Sequence, residues 1–352
     1  MVPGFDLTDL TSESESGHEL VVGFRDRETR VSGIVAIHST ALGPALSGIR
    51  ARTYSSGQQA LSDALLLSEA MTLKASAAGL NVGGGEVVIE LEGQSRPGVD
   101  QWERFGELFN SFDGKIVGFA DAGVGQGDLE TIARQTPHIV ADTSGLGDPA
   151  MWVALGVKAA MEGALVAIDG AVDWNARSVV VIGVGKVGGN LARLLAAVEA
   201  QVKVADIDIE AAKELAVLPG IEVVDIDWAH EVNCDILAPC AMGGYIDERV
   251  VSAAGARMVV GAASNQLASE NLALALADRG IVYVPDFIAN AGGLMCVDAV
   301  RQQLEVDIMH ERMVGLGRSV HLLVETSLNQ SDTPLELAAG QARTRVVAGA
   351  LE

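Results

Sequence analysis

The pattern of apolar and polar positions divides the chain into two stretches of different rhythm. Over residues 18–37 apolar residues come in short strand-like runs, Leu20-Val21-Val22 and then Val31 with Gly33-Ile34-Val35-Ala36-Ile37. Over 58–78 the period lengthens to that of a helix, with Ala60, Leu61, Ala64, Leu65 and Ser68 on one side. Residues 87–91 predict a strand leaving a glycine turn at Gly83-Gly84-Gly85, 102–112 an amphipathic helix and 115–119 another strand. The polar, Ser/Glu-rich residues up to Gly17 read as a short helix or a frayed arm.

The Gly/Asp/Ser/Pro stretch at 142–149 suits a linker. Beyond it, after a helix at about 150–168, strand and helix alternate: strand 177–182, helix 188–199, strand 201–205, then apolar runs at 234–237, 257–260 and 281–284. That alternation predicts a parallel sheet covered on both faces. The tail from about Ala291 is helical and is expected to cross back and brace the first domain.

Composition narrows the class. A chain of 352 residues, 49% hydrophobic and 20% charged, is globular and long enough for two cores. A net charge of −23 argues against nucleic acid or anionic membrane as a partner. Cys234, Cys240 and Cys296 fit neither a zinc spacing nor a paired redox motif, so no metal is expected and a reducing cytoplasm is. No signal peptide is apparent, and no uninterrupted apolar span reads as long enough to cross a bilayer.

Gly183-Val184-Gly185-Lys186-Val187-Gly188 directly follows a β-branched strand and opens a helix. In that context the glycines allow a tight turn, backbone approach to a pyrophosphate, and close helix–strand packing. The helix N-terminus adds partial positive charge. Lys186 is placed either to screen the phosphates or to lie in solvent. Asp206, eighteen residues beyond Gly188, ends the next strand, where a carboxylate accepts ribose hydroxyls and repels a 2′-phosphate. The cofactor expected is NAD.

Met71-Thr72-Leu73-Lys74, followed by Gly83-Gly84-Gly85-Glu86, resembles the substrate site of the glutamate/leucine/phenylalanine/valine dehydrogenases, nearest to the phenylalanine and leucine branches. Pro285-Asp286-Phe287-Ile288-Ala289-Asn290-Ala291-Gly292-Gly293 resembles the same family. So do Cys240 and Ala241 within 238–244, and Ala262, Ala263 and Asn265 within 260–265, which by resemblance line the nicotinamide side. The resemblance implies an N-terminal α/β substrate and oligomerisation domain, 1–148, completed by C-terminal helices at about 315–352. It implies a Rossmann NAD-binding domain at 149–314, a cleft between the two, and a homodimer or larger homo-oligomer. It further implies reversible oxidative deamination of a small amine-bearing acid. Lys74 would anchor the substrate carboxylate, Asp121 of Ala120-Asp121-Ala122-Gly123 would hold the amine, and Asn290 would bind carboxylate or amine and touch the cofactor.

Departures from the family pattern fall in this site. Glu86 stands where the second lysine, the base, is expected. In the loop at 43–51, which brings Ser47, Gly48 and Ala51 to the substrate, Ser47 replaces a glycine, Ile49 a threonine and Ala51 a methionine; Val124 replaces a threonine. A carboxylate at 86 would pair with Lys74, and beside Asp121 one of two close carboxylates would take a proton. Three readings stand. Glu86 is an altered acid/base group, or it recognises a cationic group on an unusual substrate, or the protein is a catalytically impaired NAD-binding homologue with a regulatory or partner role. His38, beside this loop, reads as a packed, hydrogen-bonded histidine.

Overall fold

The computed structural model describes residues 2–11, 17–91 and 96–351. The chain separates into two compact units, the first of Met1–Gly145 with Val300–Gln303 and Ala342–Glu352, the second of Leu146–Ala299 with Leu304–Gln341. The change falls inside the expected linker. The tail is divided differently from the expectation: 304–341 belong to the second unit, and only 300–303 and the last residues, from 342, belong to the first.

The first unit contains β1 (Phe5–Asp9), β2 (Leu20–Asp26), β3 (Ser32–Ser39), β4 (Ala45–Arg52), α1 (Gly57–Ala77), β5 (Gly83–Glu90), α2 (Val99–Asn110), β6 (Ile116–Ala120) and α3 (Gln126–Ala133). Its six-stranded sheet runs β1-β2-β3-β5-β4-β6, with β4 parallel to both β5 and β6 and the other pairs antiparallel. One face buries Val87, Ile89, Ile49 and Ala51 under Trp102, Phe105 and Phe109 of α2; the other buries Val88, Ile34 and Ala36 under Ala60, Leu61 and Ala64 of α1.

Three expectations change here. The polar N-terminal stretch holds a strand, β1, paired to β2; residues 12–16 lie outside the described part. The stretch at 43–51 contains a central strand, β4, whose two covered faces hide the alternation that marks a half-exposed strand. The triple glycine is strand as well, the first three residues of β5. Its glycines serve close approach: a β-carbon at Gly83 would lie 1.8 Å from the Ser39 carbonyl oxygen, and one at Gly84 2.1 Å from the Thr72 nitrogen. Small residues on α1 (Ala60, Ala64, Ser68, Thr72) let the helix lie that low on the sheet. The end of the chain ties down the far end of α1. Ser76 Oγ donates to the Ala342 carbonyl at 2.8 Å, and Arg345 donates to Leu80 O and Asn81 Oδ1, both at 2.8 Å.

The second unit opens with α4 (Pro149–Asp169), N-capped by Asp148 and ended by Gly170 at φ 76°. It continues with β7 (Ser178–Ile182), α5 (Lys186–Ala197), β8 (Gln201–Ala205), α6 (Ile209–Leu215), β9 (Ile221–Val223), β10 (Cys234–Pro239), α7 (Glu248–Ala253), β11 (Ala256–Val259), α8 (Leu272–Asp278) and β12 (Val282–Tyr283). The helices α9 (Asp286–Ala289), α10 (Gly292–Arg301), α11 (Val306–Asn329) and α12 (Pro334–Gly349) follow, α10 and α12 each running over a unit boundary. The sheet is wholly parallel, β12-β11-β10-β7-β8-β9. Counted from its own first strand, β7, that is the doubly wound order, with the switch point between β7 and β10. By length and composition α4 could cross a membrane, but Lys158 and Glu162 interrupt its apolar run and over half of the apolar window is buried. α11 packs on it so tightly that a β-carbon at Gly163 would lie 2.1 Å from the Gly317 carbonyl oxygen.

Candidate functional site

In the first unit the expected residues gather on the sheet face that α1 covers. Glu86 lies level with Gly48 of β4 and Ala36 of β3. Side chains alternate along a strand, so Glu86 shares the α1 face with Gly84 and Val88, and in β4 Gly48 and Arg50 point that way. The same alternation puts Ser47 and Ala51 on the opposite face. Ser47 is fully buried, its hydroxyl donating to the Gly48 carbonyl at 2.9 Å, and Ala51 joins the core under α2. Of the three β4 residues expected at the substrate, only Gly48 is beside Glu86.

Glu86 is 2% exposed. Its two carboxyl oxygens fall 2.8 and 3.1 Å from where a Gly48 β-carbon would be, and Asp121 Cβ falls 3.0 Å from that point. Burial, then the charge of Asp121, push the Glu86 carboxyl well above the usual carboxylate range, with Asp63 adding and Arg50 opposing; a hydrogen bond with Asp121 favours the protonated form. Asp121, just past β6, is tied to Arg50, whose Nε donates to its Oδ2 at 2.7 Å. The same guanidinium donates to Asp63 Oδ2 of α1 at 3.1 Å, and the Tyr54 hydroxyl donates to that oxygen at 2.6 Å. Burial pulls Arg50 down, yet Asp121, Glu86 and Asp63 together raise it above its ordinary value.

Lys74 is half-buried in the last turn of α1, two residues beyond Thr72, which touches Gly84. Thr72 Oγ1 also holds His38 Nδ1 at 2.9 Å, and the His38 ring packs edge-on to His18 with centroids 4.8 Å apart. Sequence reasoning passed over Arg50, Asp63 and Tyr54. The available signal was a single arginine at an inward position of the 43–51 stretch, which demands counterions once β4 is known to be buried.

In the second unit the glycine run does what its spacing requires. Gly183 turns at φ 89°, and a β-carbon there would strike Ala241 at 2.5 Å. One at Gly188 would lie 1.9 Å from the Gly183 carbonyl oxygen and 3.0 Å from Cys240 Cβ. Gly185, the N-cap of α5, differs: it is exposed, and no described atom lies within 4 Å of such a carbon. Protein fills two of the three glycine positions and leaves the middle one open, as a pyrophosphate requires. Lys186, exposed, and Val187 form the first turn of α5. Asp206 accepts the Val184 N–H at 2.7 Å and the Asp208 N–H at 2.9 Å, which fixes its carboxylate beside the turn.

Past β10, burial pushes the Cys240 thiol up to about 12, so it is no nucleophile at neutral pH. Asn290, 6% exposed, donates through Nδ2 to Ala262 O at 3.2 Å and Ser264 Oγ at 3.3 Å; its Oδ1 is buried with no partner among the described residues. Ala263 is buried and Asn265 is exposed at φ 53° in the same loop. These residues fit a nicotinamide dinucleotide: an open N-cap, a ribose-height carboxylate and an amide held in place with a spare acceptor.

Comparison with known proteins matches both units. Residues 19–143 match the family model described as Glu/Leu/Phe/Val dehydrogenase, dimerisation domain, and 204–314 match that described as Glutamate/Leucine/Phenylalanine/Valine dehydrogenase. The chain is 36% identical over 301 residues to valine dehydrogenase of Streptomyces albus, covering 84% of this chain and 83% of the relative. It is 35% identical over 283 residues to leucine dehydrogenase of Geobacillus stearothermophilus, covering 80% and 77%. The crystal structure of L-tryptophan dehydrogenase from Nostoc punctiforme superposes with a TM-score of 0.87 at 31% identity, over 97% of this chain and 99% of that one.

Proposed function

The chain belongs to the Glu/Leu/Phe/Val dehydrogenase family, and from that premise we propose that it is an NAD-dependent amino-acid dehydrogenase whose acid/base group is Glu86. The reading rests most on one observation: Glu86, 2% exposed, lies against Asp121 above Gly48, where burial and the neighbouring charge favour its protonated form. A general acid/base must hold a proton near neutral pH, and a carboxyl does so only when burial and a neighbouring negative charge keep it protonated.

In this reading Lys74 anchors the substrate carboxylate and Asp121, steadied by Arg50, receives the amine. Glu86 gives its proton to the departing oxygen of a 2-oxo acid in amination, leaving a carboxylate; in deamination that carboxylate takes the proton back from the attacking water. Asn290 positions a carboxylate or amide through its unpartnered Oδ1. A dinucleotide over the Gly185 N-cap supplies a nicotinamide ring able to accept or return hydride. Asp206 favours NAD because its carboxylate repels a 2′-phosphate. The name of the matched N-terminal model supports a homo-oligomer, and three free cysteines suit a reducing cytoplasm. The regulatory, catalytically impaired alternative finds no support among the dehydrogenase relatives.

The test is NADH absorbance with a panel of L-amino acids, and in reverse with 2-oxo acids and ammonium. Turnover that collapses about 10²-fold or more in Glu86→Gln supports the proposal. No turnover in either direction at any pH, with NAD binding intact by calorimetry, overturns it.

A further inference from the structure

We propose that Arg345, near the end of the chain, is a positioning residue for the substrate site of the first unit, holding the turn that joins Lys74 to Glu86. This rests on the dehydrogenase reading and goes beyond it, since it gives the last residues a part in the reaction without contact to substrate.

The segment between the two site residues folds back on itself. Lys74 lies in the last turn of α1, the helix closes on Gly79 at φ 72°, and β5 begins at Gly83. The Leu80 N–H donates to Ala75 O and the Gly79 N–H to Ser76 O, both at 3.0 Å, which are the paired bonds of a Schellman end. Neither bond engages the carbonyl of Leu80, a buried residue whose backbone still needs a donor.

The tail supplies it. Arg345 Nη1 donates to Leu80 O at 2.8 Å and to Ser76 O at 3.3 Å, and its Nη2 donates to Asn81 Oδ1 at 2.8 Å. A planar guanidinium thus bridges the helix end and the turn, and a cation there suits the C-terminal end of the helix dipole. One turn earlier in α12, the Ala342 carbonyl accepts the buried Ser76 hydroxyl at 2.8 Å. One turn later, Gly349 lies so close to the loop before β4 that a β-carbon there would fall 2.7 Å from Leu42 Cδ2 and 2.9 Å from Ala41 O. That loop and the turn are locked together in their own right. The Gly83 N–H donates to Pro44 O at 3.0 Å, and a β-carbon at Gly43 would lie 2.4 Å from Asn81 O. The tail therefore grips three things in one place: the end of the helix carrying Lys74, the entry to the strand carrying Glu86, and the entry to the strand carrying Gly48 and Arg50. Gly83 to Glu86 is one continuous stretch of β5, with Gly84 pressed on Thr72 of α1, so a shift of the turn passes along both arms. Misplacing a reacting group by about 1 Å can cost about 10²-fold.

The experiment compares full-length Arg345→Ala and Arg345→Lys with the wild type. NADH oxidation with a 2-oxo acid and ammonium gives kcat/KM, and calorimetry gives NADH affinity, which reports on the second unit. Well below its unfolding midpoint, Arg345→Ala should lose about 10²-fold in kcat/KM for the 2-oxo acid at unchanged NADH affinity. Arg345→Lys, which keeps a cationic donor for Leu80 O, should recover part of the loss. Adding Asn81→Ala to Arg345→Ala should cost little more, since both cut the same tether. Backbone hydrogen exchange in Arg345→Ala should quicken at 79–86 and stay unchanged at 183–206. Should Arg345→Ala unfold, Ser76→Ala cuts the neighbouring bond to the tail and should show a smaller loss of the same kind. Unchanged kcat/KM, a fall matched by an equal loss of NADH affinity, or unchanged exchange at 79–86 would each overturn the proposal. A wild type that turns over no 2-oxo acid would remove the dehydrogenase reading, and the exchange difference alone would then decide the hold of the tail on this turn.

Discussion

Glu86 fills the volume that a side chain on Gly48 would need. The two residues lie level on adjacent parallel strands, and the carboxyl oxygens come within 2.8 and 3.1 Å of the missing β-carbon. A glycine in a central strand is otherwise a loss, since it packs nothing and costs entropy. Here it makes room for a buried acid, so the two positions depend on each other.

Gly48→Ala should therefore do more than perturb packing. A methyl group in that space forces Glu86 or Asp121 aside, at a cost of about 1–3 kcal/mol. A lowered urea midpoint and a large fall in turnover are expected, with NAD affinity unchanged because the cofactor residues lie in the other unit. Full activity in this variant would mean that Glu86 works from a different position.

The stability of the wild type should respond to pH through Glu86. Its folded pKa lies above the ordinary value of 4.5, so the native state holds a proton that the unfolded chain releases. This contribution is complete below about pH 4.5. It is lost as pH rises through the raised folded value, at about 1.4 kcal/mol per unit of elevation. Glu86→Gln cannot ionise and should be more stable than wild type at high pH, the gap closing towards pH 4 to 5. Thermal midpoints of both proteins across that range decide it; a gap independent of pH would mean that Glu86 is already ionised in the fold.

Arg50 is the cation that opposes proton retention by Glu86. Arg50→Met should move the acidic limb of the pH–rate profile upward and take the cation from Asp121 and from Asp63, which keeps only the Tyr54 hydroxyl, costing about 1–3 kcal/mol. Arg50→Lys keeps the charge but not the planar fork that reaches both carboxylates, and should recover the pH profile better than the stability. A profile unmoved by either change would place Arg50 outside the site's electrostatics.

How much of this was readable beforehand follows from where each residue sits. The glycine run, Asp206 and the alternating second unit were plain, because strand, turn and helix each leave a periodic or compositional mark. α1 was plain for the same reason. β4 was not: a strand covered on both faces, with Ser47, Gly48 and Arg50 among its members, carries no alternation to read. The glycines at 83–85 looked like a turn, because composition alone does not separate a glycine needed for φ from one needed for closeness. Resemblance grouped Glu86 and Asp121, which lie together above Gly48, with Ser47 and Ala51, which the alternation of β4 turns to the opposite face. The Arg50–Asp63–Tyr54 chain joins residues on separate elements and exists only once α1 is laid on the sheet.

Cofactor choice is tested at Asp206. Its carboxylate is fixed by the Val184 and Asp208 amides, so a 2′-phosphate would meet a charge unable to swing away. Asp206→Ala should relax the preference for NAD over NADP by about tenfold or more. Equal steady-state preference before and after the change would remove Asp206 from the ribose.

The glycines at 185 and 188 should fail in different ways. A methyl group at 188 would lie 1.9 Å from the Gly183 carbonyl and close to Cys240 Cβ, so Gly188→Ala forces helix α5 away from the sheet. It should lower the unfolding midpoint and abolish NAD binding together. A methyl group at 185 meets no described atom within 4 Å, and the residue's φ of −62° suits alanine. Gly185→Ala should therefore fold with unchanged or slightly higher stability, since alanine reduces the freedom of the unfolded chain. Its loss should appear only in affinity, because the methyl group stands where the pyrophosphate must approach the backbone. Calorimetric titration of NAD beside urea unfolding separates the two effects. Undiminished NAD affinity in Gly185→Ala would show that the phosphates lie elsewhere.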